Sequence, residues 1–162
     1  MPPLQEIVDL TKALIRIPSM HSRPQEIQRC ADFIAAWLDE RDIAYRRLDI
    51  DNIPSLIVLP KVERLPGAEG MPEAGRLAEA ESVPVLYMAH FDVVAADIDD
   101  LFLPREEDGK LYGRGAIDDK YAVALLLVLF QRHLEALRKK GRTKAEMGFG
   151  LLLTGDEEVG GA

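Results

Sequence analysis

Six side chains carry the chemistry open to this sequence: His90 and Asp92 in MAHFDVV, Asp118 and Asp119 in GRGAIDDK, and Glu157 and Glu158 in TGDEEVGG. Each group borders an apolar run, so each is expected at the end of a buried element. In open α/β sheets ligands bind in the crevice beyond the carboxyl ends of strands, where the three groups can meet. Like carboxylates gathered in one place repel and raise one another's pKa unless a cation neutralises them. Imidazole with carboxylates suits zinc, with cobalt or manganese as alternatives.

Taken singly, each group has an ordinary explanation. In extended chain His90 and Asp92 leave the same side, and a metal-bound histidine commonly donates its second ring N–H to a carboxylate such as Asp92. A hydrogen-bonded histidine at a strand end accounts for His90 equally well. Asp118 or Asp119 is expected to cap the helix that follows, as aspartate favours that position. GRGAIDDK also reads as a phosphate loop, but Asp118 stands where the third fingerprint glycine belongs, and an acid there repels phosphate. A solvated acidic turn explains the charge of TGDEEVGG. It does not explain why two glutamates directly follow LLL and are bracketed by Gly155 and Gly160. One glutamate ligating a metal, the other taking a proton from an activated water, is a division of labour that does.

The elements that must position these groups are legible from periodicity. Leu4, Ile7, Val8, Leu10, Leu14 and Ile15 recur at helical spacing until Pro18 ends the pattern. Ser22 and Gln25 form a capping-box pattern, followed by a helix whose apolar face holds Ile27, Ala31, Ile34, Trp37 and Leu38, with Cys30 in or near the core. Ile43 to Ile50 and SLIVLP from Ser55 predict two strands able to pair. Residues 61–82, rich in Gly, Pro and Glu, predict a surface excursion, and residues 83–90 a strand buried on both faces. A polar loop is expected up to Gly115, then a long helix over 119–140 and a buried strand from Met147 to Leu153. The alternation predicts an α/β fold with a mixed or mostly parallel sheet.

Composition excludes some functions. With 162 residues, a formal net charge of -8 and a pI near 4.9, the chain lacks the basic face that nucleic acid or an anionic membrane requires. The longest apolar run, Ala122 to Phe130, falls short of the roughly 20 residues of a membrane span. A single cysteine provides no intrachain disulfide framework. The start MPPLQEIVDL carries no secretory pattern, so a cytoplasmic protein is expected.

MAHFDVV, DGKLYGRGAIDDK and TGDEEVGG in this order resemble the zinc-dependent exopeptidases and amidohydrolases that include glutamate carboxypeptidase, carboxypeptidase S, aminoacylase and succinyl-diaminopimelate desuccinylase. The resemblance implies a three-layer α/β/α sandwich, incomplete in this chain. It implies that His90 binds one metal, Asp118 bridges two and Glu158 binds the other, that Glu157 is the general base, and that Asp92 orients His90. It also implies a cis peptide between Asp118 and Asp119, two zinc ions in the complete protein, a small peptide or N-acyl amino acid as substrate, and a homodimer. Ala95 and Tyr121 stand where many members have proline and glycine. Because members continue past the double glutamate to further ligands and a smaller dimerisation or lid domain, residues 1–162 are expected to be the N-terminal portion of a metallopeptidase catalytic domain, inactive alone. Two rivals stand beside it: a phosphate-binding or phosphotransfer domain using the Asp pair with magnesium, and a non-catalytic homologue kept for peptide binding or dimerisation. His21 and His133 are read as surface or structural histidines.

Overall fold

The computed structural model describes residues 3–60 and 83–161; the expected excursion over 61–82 lies outside them. Helix α1 (Pro3–Ile15) and helix α2 (Pro24–Asp39) precede an antiparallel hairpin of β1 (Arg46–Ile50) and β2 (Ile53–Val58). Asp51 and Asn52 form the two-residue turn with φ of 50° and 63°, the left-handed geometry that matches strand twist and that Asn and Asp tolerate best after glycine. Strand β3 (Val85–His90) follows, then a small hairpin of β4 (Arg105–Glu107) and β5 (Lys110–Tyr112), helix α3 (Lys120–Arg138) and β6 (Phe149–Thr154). The main sheet has the order β1-β2-β6-β3, with β6 antiparallel to β2 and parallel to β3. It is the mixed α/β sheet that the alternation predicts.

One core gathers the helices on one face of the sheet. Leu10 and Leu14 of α1, Ile27, Ile34 and Leu38 of α2, and Val123, Leu127 and Phe130 of α3 pack with Leu56, Val58, Ala89, Leu151 and Leu153. Paired strand residues share a face, so Ile57, Leu152 and Met88 lie on the opposite side. That side carries no helix among the described residues; with Leu48, Ile50 and Ile53 these residues line an open concavity of about 500 Å³. What the structure describes is therefore one helical layer on a sheet. Among the described residues no helix is long and apolar enough to cross a membrane.

Three expectations change. The strand ending at His90 is not buried on both faces: among the described residues it is the sheet edge, with Val85, Leu86, Tyr87 and Met88 between 42% and 64% exposed and only Ala89 and His90 buried. The loop before Gly115 contains the β4–β5 hairpin, turned at Asp108 and Gly109 with φ of 50° and 72°. No capping box forms at Ser22: Pro24 takes the first helical position and Arg23 the cap, without a side-chain hydrogen bond, as the fixed φ of proline is preorganised for a helix start.

The fold brings the acidic groups together through its β3–α3–β6 crossover. Parallel strands place their carboxyl ends side by side, and the connecting helix starts at that end. His90 accordingly registers with Thr154, the last residue of β6.

Candidate metal centre

At this shared end His90 is buried and Asp92 is 1% exposed. His90 Nδ1 lies 3.3 Å from Asp92 Oδ1 and 3.2 Å from the Asp92 carbonyl oxygen. Its Nε2 faces Asp118 Oδ1 at 3.0 Å and Glu157 Oε2 at 3.7 Å. Asp92 reaches further: Oδ1 accepts the backbone N–H of Glu157 at 3.3 Å and Oδ2 that of Glu158 at 3.0 Å. One buried carboxylate thus fixes both the imidazole and the glutamate turn, which forms a short 3₁₀ segment, Glu157–Val159.

The turn sits where it does because Gly155 permits it. A Cβ there would meet Ile27 Cγ2 and Phe91 Cε2, both at 2.9 Å, closer than carbon atoms pack. Phe91, wholly buried between His90 and Asp92, also donates its N–H to Thr154 O at 2.9 Å, tying the two strand ends together.

The Asp118–Asp119 peptide is cis. Asp119 takes the cap position of α3, as one of the pair was expected to, but its side chain makes no capping hydrogen bond. Burial pushes the Asp119 carboxyl above its ordinary range. The Asp118 carboxylate is exposed and meets His90. Within this turn Ala116 N and Lys120 N donate to Gly113 O and Gly115 O at 3.0 Å each.

His90, Asp118 and Glu158 each offer a ligand atom within 4.8 Å of the others, forming the one such His/Cys/Asp/Glu group among the described residues. An imidazole and two carboxylates are donor types that suit zinc. The hydrogen bond to Asp92 raises the His90 pKa to about 9 against the opposing effect of burial, with Asp118 and Glu157 also raising it. This is an imidazole surrounded by negative charge, held for a cation or a proton. All five predicted site residues, His90, Asp92, Asp118, Glu157 and Glu158, therefore lie at one end of the sheet. His21 and His133 are exposed and outside it, and His133 stands edge-on to Phe149 at 5.6 Å.

Two polar residues beside the cluster escape sequence reasoning. Ser19 and Lys120 are both 0% exposed. A signal for Lys120 existed: it shares the helical face of Val123, Ala124 and Leu127, at spacings of three, four and seven, all of them buried.

Comparison with known proteins places part of the chain in a family. Residues 86–162 match the model of peptidase family M20/M25/M40. A succinyl-diaminopimelate desuccinylase of Xylella fastidiosa is 31% identical over 161 residues, covering 96% of this chain and 36% of that protein. An N-fatty-acyl-amino acid synthase/hydrolase of Xenopus tropicalis is 39% identical over 83 residues, 49% of this chain and 15% of its own. A second desuccinylase, of Maricaulis maris, is 41% identical over 78 residues, 45% of this chain and 18% of its own. The chain spans about a third of the length of the desuccinylase that it matches from end to end.

Proposed function

The chain belongs to peptidase family M20/M25/M40 through residues 86–162, and on that footing we propose that His90, Asp118 and Glu158 hold zinc while Glu157 acts as general base in hydrolysis of an amide bond. The observation that carries this is the convergence of three ligand atoms from separate elements within 4.8 Å, with an exposed carboxylate, Glu157, beside them.

The roles divide by environment. His90 Nε2 points into the group while Nδ1 is held by Asp92, which selects the tautomer whose Nε2 lone pair faces the cation. Glu157 is 61% exposed at its side chain, free to swing between an attacking water and a leaving amine. A bound zinc supplies positive charge that polarises the amide carbonyl and makes a nearby water more acidic. Glu157 takes that water's proton and returns it to the departing nitrogen. Asp92 transfers nothing; it holds the His90 ring and the peptide that carries Glu157 and Glu158. In a two-zinc site Asp118 would serve both ions, His90 one and Glu158 the other, and each ion would need further donors from outside this group of three.

The substrate class proposed is an N-acyl amino acid or small peptide. The relatives named above are desuccinylases and an N-fatty-acyl-amino acid synthase/hydrolase, and both names describe a bond between an acyl group and an amine.

The test is turnover of N-succinyl and N-fatty-acyl amino acids by the zinc-loaded full-length protein against its Glu157→Gln variant. The variant should retain zinc and lose about 10²–10⁴ in rate, the usual worth of a general base. Turnover unchanged by the substitution would overturn the assignment.

A further inference from the structure

Helix α1 contributes no donor to the metal group, yet the elbow that follows it touches both strands of chain that do. Lys120 Nζ donates to Leu14 O at 2.9 Å and to Ile17 O at 2.6 Å, carbonyls at the carboxyl end of α1, where a helix concentrates negative partial charge. Two residues further, Ser19 Oγ donates to Phe91 O at 2.5 Å, and Ser19 O accepts the N–H of Val93 at 3.0 Å. Residues 14–19 thus grip the His90–Asp92 loop on one side and the residue next to Asp119 on the other. Gly115, with φ of +84°, closes the Asp118 turn over the stem of Lys120: a Cβ there would come within 2.8 Å of Lys120 Cδ.

We propose that Lys120 is a positioning residue for the metal group, its ammonium pinning the Asp118 turn to the elbow of α1 that also holds the His90 loop. The inference rests on the reading of His90, Asp118 and Glu158 as metal donors. Burying an ammonium is costly, and a lysine stem alone would pack as well without it. The two carbonyls do not depend on it either, since Leu14 O also accepts Ile17 N and Ile17 O accepts Ser19 N. Replacing buried charge by an apolar side chain of like volume is often neutral for folding. What the ammonium adds is the fixed distance between two pieces of chain whose side chains, His90 and Asp118, must meet at 3.0 Å.

The experiment separates position from stability. Zinc alone is titrated calorimetrically into the wild-type protein, Lys120→Met and Leu134→Ala, with urea denaturation of each. Leu134 is 1% exposed on a distal turn of α3, so its truncation should cost stability and leave zinc affinity unchanged. Lys120→Met should weaken zinc about 10–100-fold, the range for a residue that orients a ligand from outside the ligand set, with a smaller loss of stability than Leu134→Ala. Wild-type affinity in Lys120→Met overturns the inference, and so does equal loss of affinity in Leu134→Ala.

Should Lys120→Met not fold, the wild type decides through linkage, because a coupling felt at the metal must be felt reciprocally at α1. Zinc should then slow hydrogen exchange of the Arg16 and Ile17 amides about tenfold relative to the first turn of α1; unchanged exchange overturns the inference. A wild-type protein that takes up no zinc refutes the metal reading itself, and this inference with it.

Discussion

The Asp92 carboxylate accepts the backbone N–H of Glu158 at 3.0 Å while its other oxygen stands 3.3 Å from the His90 ring. A group that is 1% exposed therefore links two proposed ligands, His90 at the end of β3 and Glu158 in the turn after β6.

Removing that link should cost both stability and metal. Asp92→Ala leaves the Glu157 and Glu158 amides without their acceptor, a loss of about 1–3 kcal/mol where such groups are buried, and should weaken zinc about 10–100-fold. Asp92→Asn keeps one carbonyl acceptor and should fall between. Urea denaturation and calorimetric zinc titration of both variants check the order.

The protonation of His90 in the metal-free protein has a defined direction. Its pKa is raised from 6.5 to about 9, first by the hydrogen bond to Asp92 and also by Asp118 and Glu157, against burial. A raised base stabilises the fold fully below its unfolded value and loses that contribution as pH climbs through its folded value. The metal-free protein should lose this increment between pH 6.5 and about 9. Imidazole resonances followed by NMR should titrate near the upper value, and in Asp92→Asn near the ordinary one. Because zinc must displace that proton, affinity should also fall as pH drops below about 9.

Gly155→Ala tests the packing beneath the glutamate turn. A Cβ at 2.9 Å from both Ile27 and Phe91 must push one of them aside. The expected loss is about 1–3 kcal/mol, typical of overpacking, measured by urea denaturation. A neutral substitution would mean that the turn is looser than described.

The two glutamates should separate cleanly. Glu158→Gln is expected to lower zinc affinity, whereas Glu157→Gln should leave it within a few-fold and, in the full-length protein, abolish most turnover, by about 10²–10⁴. Metal content after dialysis, read beside turnover, distinguishes them. Equal loss of zinc in both variants would contradict the division of roles.

Much of this arrangement was legible because it is local. The helical repeat from Leu4 to Ile15, the apolar face of α2 and the strand before Gly155 stand in the structure as periodicity predicts. The three acidic groups could be placed at one end of the sheet because a β-α-β crossover leaves little choice. What was illegible depends on contacts distant in sequence. Apolar residues Val85 to Met88 read as a strand covered on both faces, since hydrophobicity reports fitness for burial and not the neighbour that provides it. The Asp108–Gly109 turn is a hairpin signal in a segment otherwise too polar to suggest strands. Lys120 joins carbonyls more than 100 residues away, and only its place on the apolar face of α3 betrays it.

The most direct measurement is the zinc stoichiometry and affinity of the protein beside His90→Ala, Asp118→Ala and Glu158→Ala, with His133→Ala as the exposed control. Each of the three ligand variants should lose affinity by about tenfold or more, and His133→Ala should match the wild type. Zinc bound equally well without His90, or lost equally without His133, would contradict the metal centre described above.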